Sequence, residues 1–303
     1  MPSAPESARP FRFGVNMTTV TSGDAFRQRC RTAEAQGYDT IHVPDHLGMT
    51  APFPALVAAA EETERPRLGT FVLNAGFWNP ALLAREAATV DQLSGGRLEL
   101  GLGAGYVKGE HDTAGLPWAS PGGRVDHLER TVTEVTRLLA DPGHAPRPAQ
   151  ERVPLLIGGN GDRVLRLAAR TASVVAFTGA RQVPGEPEGT MRLIPPGALD
   201  ERIATFHGFA HQAGRAEPAE LNYLIQHVAV TPDRRAHLSG LPPYGPDLSD
   251  DELLSHPALL TGSVQEMADQ LRAHRQRFGL SYYTVLDPYM DAFAPVIPHL
   301  TNT

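Results

Sequence analysis

An aspartate and a histidine stand side by side in the segment VPDHL, as Asp45 and His46. A carboxylate next to an imidazole can donate or accept a proton near neutral pH, because the ordinary pKa of histidine is about 6.5. The same pair could instead form a plain turn, in which Asp45 caps backbone amides and His46 faces water. Acid–base chemistry is favoured if the preceding strand ends at an active face.

A second group of polar side chains lies in the glycine-rich segment GLGAGYVKGEHD, which begins near Gly103 and carries Tyr106, Lys108, Glu110 and His111. Glycines allow the backbone to approach a ligand closely, although tight turns use them too. The segment has neither the Walker ending nor the spacing of a dinucleotide-binding turn. Glu110 and His111 are adjacent, but no third partner lies at ligand spacing, so we expect no metal site.

A third segment, IGGNGDRVLRLAA, passes from a strand through Gly158, Gly159, Asn160 and Gly161 directly into a helix. The free amides and the positive dipole end at a helix start bind phosphate. An ordinary short strand-to-helix turn also favours Gly and Asn, so both interpretations stand. Arg163 in the first helical turn could neutralise an anion or merely face water.

The segment FVLNAGFWNP carries Phe71, Asn74, Phe77 and Trp78 around the end of another apolar run. Aromatic side chains at such a place either line a pocket for a planar ligand or complete the upper layer of the core. The residues alone do not separate these two roles.

These segments follow strands in a regular alternation of apolar runs and helical patterns, which is typical of parallel βα units. Strands are predicted at 11–17, 40–43, 68–74, 97–103, 153–159, 173–177, 220–230 and 280–287. Helices are predicted at 24–36, 54–64, 80–93, 123–139, 162–170, 198–214 and 264–278. The pattern predicts one α/β domain over 11–303, a (β/α)8 TIM barrel with insertions after strands 4, 6 and 7, preceded by a disordered leader over 1–10.

A doubly wound open sheet is the main rival, but no glycine fingerprint follows the first strand. In a barrel the site forms where the strands reach their C-terminal ends, so the polar segments above would meet at one face. This location favours a functional role for Asp45 and His46.

Composition narrows the class of protein. The formal net charge is −7 with no basic cluster, which disfavours nucleic acid as a partner. No apolar run approaches the roughly 20 residues of a membrane span, and the N-terminus lacks the layout of a signal peptide, so a cytoplasmic protein is expected. The single cysteine, Cys30, excludes an internal disulfide and is expected to be an inert buried thiol.

Taken together, the segments resemble the bacterial-luciferase-like superfamily, and within it the branch that uses coenzyme F420. The resemblance runs over nearly the whole chain. It is most specific in GYDTIHVPDHL, in LLAREAATVDQLSGGRLELGLGAGYVKGEHDTAGLP and in HPALLTGSVQEMADQLRAHRQRFGLSYYTVLDP. One departure is Trp78 to Pro80, where many relatives carry a basic residue before His-Pro; another is a shorter connection after strand 7.

The resemblance implies a role for each matching position. Asp45 would lie near the deazaflavin ring, and a non-prolyl cis peptide at Phe71–Val72 would support one face of that ring. His46 would bind substrate or transfer a proton. In a reductase, His46 or Glu110 would be the catalytic group that supplies the balancing proton. The positions expected to bind the cofactor are Asp45, Phe71, Val72, Asn74, Gly103, Tyr106, Gly158, Gly159, Asn160, Gly161 and Thr178.

The function that the resemblance implies is an F420-dependent reductase, which transfers a hydride to a C=C or C=N bond of a small molecule. An FMN-dependent monooxygenase that uses oxygen is an alternative, because both cofactors present a similar ring and a ribityl phosphate. A non-catalytic flavin-binding protein is a third. Arg163, Arg181 and Arg192 are possible contacts for the F420 tail, and a homodimer is expected.

Overall fold

The computed structural model describes residues 9–19, 21–183, 185–186, 190–241 and 248–301. Eight parallel strands form its centre. They are β1 (Arg12–Asn16), β2 (Thr40–Val43), β3 (Arg67–Thr70, resumed at Leu73–Asn74), β4 (Leu98–Gly103), β5 (Leu155–Gly158), β6 (Val174–Phe177), β7 (Glu220–Ile225) and β8 (Tyr282–Leu286).

The strands close into a ring. β1 pairs with β2 on one side and with β8 on the other, and β3 pairs with both β2 and β4. The order then continues through β5, β6 and β7 back to β8. The predicted (β/α)8 barrel is confirmed, and the open-sheet alternative is wrong, because an open sheet would leave two strands with one neighbour each.

Helices return the chain between successive strands. They are α1 (Gly23–Ala35), α2 (Pro52–Glu62), α3 (Pro80–Leu93), α4 (Lys108–Ala114), α5 (Pro121–Ala140), α6 (Asp162–Thr171), α7 (Pro196–Gln212), α8 (Arg234–Ser239), α9 (Asp250–Leu254), α10 (Val264–Phe278) and α11 (Met290–Phe293). Local chemistry sets several ends. Ser263 and Glu266 form a capping box at the start of α10, and Gly279 ends that helix with a φ of 72°.

Three differences from the sequence-based prediction concern the barrel strands and the site; α8, α9 and α11 are short helices that were not predicted either. The predicted strand over 220–230 ends at Ile225, and His227–Val230 instead pairs with Leu259–Gly262 outside the barrel. The loop after β4 contains α4, and β3 is interrupted between Thr70 and Leu73. The interruption holds a non-prolyl cis peptide between Phe71 and Val72, which confirms the position that the resemblance implied. Apolar alternation is the same in both parts of 220–230, so only the pairing partner decides where the barrel strand stops.

The insertions fall where the sequence places them. The insertion after β6 forms an antiparallel hairpin of Ala180–Gln182 and Met191–Leu193, and the one after β7 contains α8 and α9. Most of the predicted leader lies outside the described residues; within it, Arg9 Nη2 donates to the carbonyl of Pro218 (2.8 Å). Among the described helices, none combines the length and the apolar character that a membrane crossing requires.

The N-terminal ends of the strands enclose a network of charged side chains, which we call the floor. The Arg12 guanidinium donates to Glu220 (2.7 Å) and to Glu99 (3.1 Å), and lies over the Tyr282 ring at 4.2 Å. The Tyr282 hydroxyl lies 2.9 Å from His42 Nε2 and 3.2 Å from Glu99. Burial opposes ionisation of Glu99, but His42 and Arg12 outweigh it and lower the pKa of Glu99 to about 2.

The expectation for Cys30 is met, since its thiol is fully buried. Burial raises the pKa of that thiol to about 12, helped by the charge of Glu62. Cys30 therefore stays protonated and packs as a small apolar side chain.

Candidate active site

The centre of the site is a hydrogen bond between two residues that are 64 positions apart in sequence. His46 follows β2, Glu110 lies in α4 after β4, and His46 Nδ1 is 2.7 Å from Glu110 Oε1. Their side chains are 28% and 15% exposed. A carboxylate only accepts, so we assign the proton to Nδ1. Nε2 then remains available to a ligand, which suits the pair for proton transfer.

The ring of Tyr106 forms one wall beside the imidazole. Its edge packs on His46 with ring centroids 5.8 Å apart and planes at 81°, and Tyr106 is 48% exposed at the rim. Burial of its hydroxyl, together with the charge of Glu110, raises the pKa of Tyr106. Tyr106 therefore stays a neutral phenol beside the proton-transfer pair.

Asp45 ties the end of β2 to the end of β3. Its Oδ2 accepts hydrogen bonds from the Trp78 indole Nε1 (2.9 Å) and from the Asn74 backbone amide (3.2 Å). Burial raises the pKa of Asp45, although these two hydrogen bonds act in the opposite direction. The departure at Trp78 thus has a consequence, because the indole donates to the aspartate that the resemblance places beside the ring.

Asn74 is held by a residue that the sequence analysis considered only as a metal ligand. Asn74 Oδ1 accepts from the Gly76 amide (3.0 Å), so its amide nitrogen faces His111 Nε2 at 3.0 Å. His111 Nδ1 lies 3.0 Å from the carbonyl of Pro117, and we therefore assign the imidazole proton to Nδ1. A Cβ at Gly105, where φ is 70°, would lie 2.3 Å from Asn74 Oδ1.

Glu110 and His111 are neighbours in sequence but contact residues on two different sides of the site. Glu110 turns to His46, whereas His111 turns to Asn74. Successive residues of a helix point about 100° apart, so α4 can supply both contacts at once. Sequence reasoning missed the role of His111 because nothing in the chain signalled that 108–114 is helical.

The base of the site is formed by Phe71 and Val72. The Phe71 ring stacks on the buried His42 imidazole, with centroids 4.9 Å apart and planes at 11°. A Cβ at Gly103 would lie 2.8 Å from Val72 Cγ2, and one at Gly158 would lie 3.3 Å from Val72 Cγ1. Positions 103 and 158 therefore suit glycine, because Val72 occupies the space that a larger side chain would need.

The turn after β5 has the features of an anion site. The Gly159 amide donates to the Ala176 carbonyl (3.0 Å), and Asn160 Nδ2 donates to Thr178 Oγ1 and to the Ala180 carbonyl, both at 2.9 Å. The helix that follows begins after Gly161 without a side-chain cap. Its first amides therefore point at the turn unpaired.

Two buried amide oxygens at this end of the barrel have no partner in the described part of the chain. They are Asn160 Oδ1 and Asn16 Oδ1, the latter on the last residue of β1. A buried acceptor without a donor costs free energy, so a ligand with N–H or O–H groups fits both positions. A phosphate-bearing ligand with a hydroxylated chain thus matches the amides and the acceptors together.

The three arginines proposed as tail contacts divide into two groups. Arg163 donates to Asp126 on α5, so it is already paired and does not turn toward Asn160. Arg181 and Arg192 face each other across the hairpin after β6, and neither pairs with another described residue. Like charges directly opposite in a ladder repel, which leaves this pair available to an anion.

Comparisons with known proteins agree with this architecture. Residues 8–282 match the model of the luciferase-like monooxygenase family. The F420-dependent glucose-6-phosphate dehydrogenase of Microbacterium testaceum is 28% identical over 312 residues, covering 94% of this chain and 88% of that protein.

Two solved structures share the fold. An F420-dependent secondary alcohol dehydrogenase in complex with an F420–acetone adduct superposes with a TM-score of 0.76 at 19% identity, covering 97% of this chain and all of that one. The long-chain alkane monooxygenase LadA superposes with a TM-score of 0.75 at 13% identity, covering 96% of this chain and 91% of that one. With a family match that spans most of its length, this chain belongs to the luciferase-like monooxygenase family.

Proposed function

We propose that the chain is a coenzyme F420-dependent oxidoreductase that reduces a C=C or C=N bond of a small organic molecule. The observation that carries the proposal is the His46–Glu110 pair, in which one imidazole nitrogen is left free. The pair lies at the C-terminal ends of the strands, which we call the mouth of the barrel. The similarity to an F420-dependent dehydrogenase over 94% of the chain supports the choice of cofactor.

The residues at the mouth fit that cofactor. The amides that begin α6 and the Thr178 hydroxyl would hold its phosphate, and the buried Asn160 and Asn16 oxygens would accept from its hydroxyl or ring N–H groups. Phe71 and Val72 would support the ring. When bound and reduced, the cofactor supplies a hydride.

The chain's own contribution is to position the substrate and to supply the balancing proton. His46, protonated on both nitrogens, donates from Nε2 to the carbon or nitrogen that does not receive the hydride. Glu110 accepts the hydrogen bond from Nδ1 and so fixes the orientation of the imidazole during the transfer. The neutral imidazole then regains a proton from solvent, so atoms and charge balance over one turnover.

A monooxygenase that uses reduced FMN and oxygen is the second candidate. The likeness of fold to the alkane monooxygenase favours it, and a phosphate site at the start of α6 would serve either cofactor. The two candidates differ in which cofactor binds and in whether oxygen is consumed.

Titration of the purified chain with F420 and, separately, with FMN tests the cofactor. We expect F420 to bind at least tenfold more tightly than FMN, each affinity being measured by the change in the fluorescence of that cofactor. With oxygen excluded, reduced F420 should then be oxidised in proportion to an added enone or imine. Tighter binding of FMN with oxygen uptake would establish the monooxygenase, and binding without any turnover would establish a non-catalytic protein.

The family resemblance also leads us to propose a homodimer located in the cytoplasm. Sedimentation of the purified chain would test the first point: a single species of about 65 kDa, twice the 32.6 kDa chain, is the expected result. A monomer would contradict it.

A further inference from the structure

Three of the seven large apolar side chains that are exposed in the described chain lie beside His46. Leu47, Met49 and Tyr106 are 46%, 44% and 48% exposed, and they are among the few large apolar side chains of the described chain that face solvent. The Met49 amide donates to the His46 carbonyl (3.1 Å), so Leu47 and Met49 are held on one tight turn. An apolar patch that a protein leaves uncovered beside reactive groups indicates a binding surface.

The lysine and arginine side chains beside Tyr106 are already engaged. Lys108 Nζ donates to Asp112 at 2.7 Å. The guanidinium of Arg124 lies over the Trp118 ring at 3.9 Å and donates to the Gly105 and Ala119 carbonyls. A phosphate ester requires charged donors aimed at its oxygens, and neither group is free to act as one.

Arg181 and Arg192, which pair with no other side chain of the described chain, lie elsewhere. Arg181 and Arg192 belong to the hairpin after β6, and β6 is four strands from β2 in either direction around the closed ring. They are therefore on the side of the mouth opposite His46, next to the Asn160 turn, where they can serve the cofactor rather than the substrate.

We propose that the substrate is an uncharged molecule whose apolar portion packs on Leu47, Met49 and Tyr106, in contrast to the sugar phosphate for which the relative from Microbacterium testaceum is named. The inference rests on the proposed F420 chemistry at His46. It assigns the turn after β2 and the start of the β4 loop to specificity, because these segments flank the free Nε2.

A two-part substrate series tests the proposal. The first part uses reduced F420 and tests the proposed reduction: 3-penten-2-one to 3-nonen-2-one are compared with the anion of 4-oxo-2-pentenoic acid. The second part uses oxidised F420, so that hydride transfer runs in the opposite direction, from an alcohol to the cofactor: 2-propanol to 2-octanol are compared with glucose 6-phosphate. We expect kcat/KM to rise about fourfold for each added methylene that is buried. The charged compounds should be turned over at least 100-fold more slowly than the best neutral one.

Two matched variants test whether the dependence of kcat/KM on substrate chain length arises at the apolar patch. In Leu47→Lys the ratio of kcat/KM for the longest and shortest substrates should fall about tenfold. Leu93→Lys changes a leucine that is more exposed, at 63%, and lies at the end of α3, at the opposite end of the barrel; it should keep the wild-type ratio.

A separate titration with F420 distinguishes failure of the substrate inference from failure of the proposed function. If F420 binds but glucose 6-phosphate or the carboxylate is preferred, if chain length has no effect, or if no compound is turned over, the substrate inference is overturned and the cofactor assignment stands. If F420 does not bind, the proposed function and the inference both fail.

Discussion

The two ends of the barrel differ in whether their polar side chains have partners within the protein. At the floor, Arg12 is ion-paired with both Glu99 and Glu220. At the mouth, the nitrogen His46 Nε2 has no partner in the described chain, and the oxygens Asn16 Oδ1 and Asn160 Oδ1 are buried without one. The floor therefore contributes to stability, whereas the mouth keeps hydrogen-bonding capacity for a ligand.

The pKa values follow the same division. At the floor, charged partners lower the pKa of Glu99 despite its burial, whereas at the mouth burial outweighs the partners of Asp45 and raises its pKa. A carboxylate that is compensated inside the protein stabilises the fold, but one that is only partly compensated is poised to gain from a bound molecule. Changes at the floor should alter unfolding, and changes at the mouth should alter turnover.

The largest effect is expected from His46→Asn. Loss of the proton donor should lower turnover by roughly 10²- to 10⁴-fold, while the free energy of unfolding changes by under about 0.5 kcal/mol, because the side chain is partly exposed. Steady-state kinetics and urea unfolding measure the two quantities. His211→Asn, at an exposed position in α7, is the control; turnover within threefold of wild type for His46→Asn would remove His46 from the mechanism.

At the floor, Arg12→Met should have the reverse profile. It leaves Glu99 and Glu220 as buried carboxylates without their common partner, which costs about 3–5 kcal/mol of unfolding free energy. Urea unfolding gives this value, and Arg85→Met, which breaks an exposed pair with Glu86, should cost under about 1 kcal/mol. Cofactor affinity of the folded fraction should be unchanged. Equal losses in the two variants would contradict the comparison.

Lowering the pH should change the contributions of Glu99 at the floor and of Asp45 at the mouth to the free energy of unfolding in opposite directions. The folded pKa of Glu99 is about 2 against 4.5 for an ordinary glutamate, so its contribution is complete above pH 4.5 and disappears as the pH falls toward 2. Between pH 7 and pH 3 the loss is about 2 kcal/mol. In Glu99→Gln the dependence of unfolding free energy on pH should be shallower.

Asp45→Asn should have the opposite effect on the pH dependence of the unfolding free energy. Because the folded pKa of Asp45 is raised, its titration favours the folded state as the pH falls, and its removal should make the acid loss steeper. Denaturant unfolding from pH 7 to pH 3 compares both variants with wild type. Two slopes that change in the same direction would show that the ends do not differ.

The smallest effect is expected from Trp78→Phe. The substitution keeps an aromatic ring but removes the indole donor to Asp45, which should cost about 1 kcal/mol of unfolding free energy. Because Asp45 then accepts only from the Asn74 amide, we also expect cofactor affinity to fall a few-fold in the fluorescence titration. If affinity is unchanged, the departure at Trp78 has no functional consequence.

Periodicity was sufficient for the fold, because each βα unit has its own apolar pattern and caps. It was not sufficient for the end of β7, since His227–Val230 has the same alternation as the barrel strand and leaves the barrel only by pairing with Leu259–Gly262. It also missed α4, a short helix within a glycine-rich segment, and with α4 the contact from His111 to Asn74.

The sequence by itself determined the order of strands and helices, the family, and the segments that meet at the C-terminal face, because these depend on patterns within short windows. Only the tertiary structure decided that His46 binds Glu110, that Trp78 donates to Asp45 and that Arg163 is already paired with Asp126. Such contacts join side chains from different βα units, and closing the ring sets their distances, which no local pattern records.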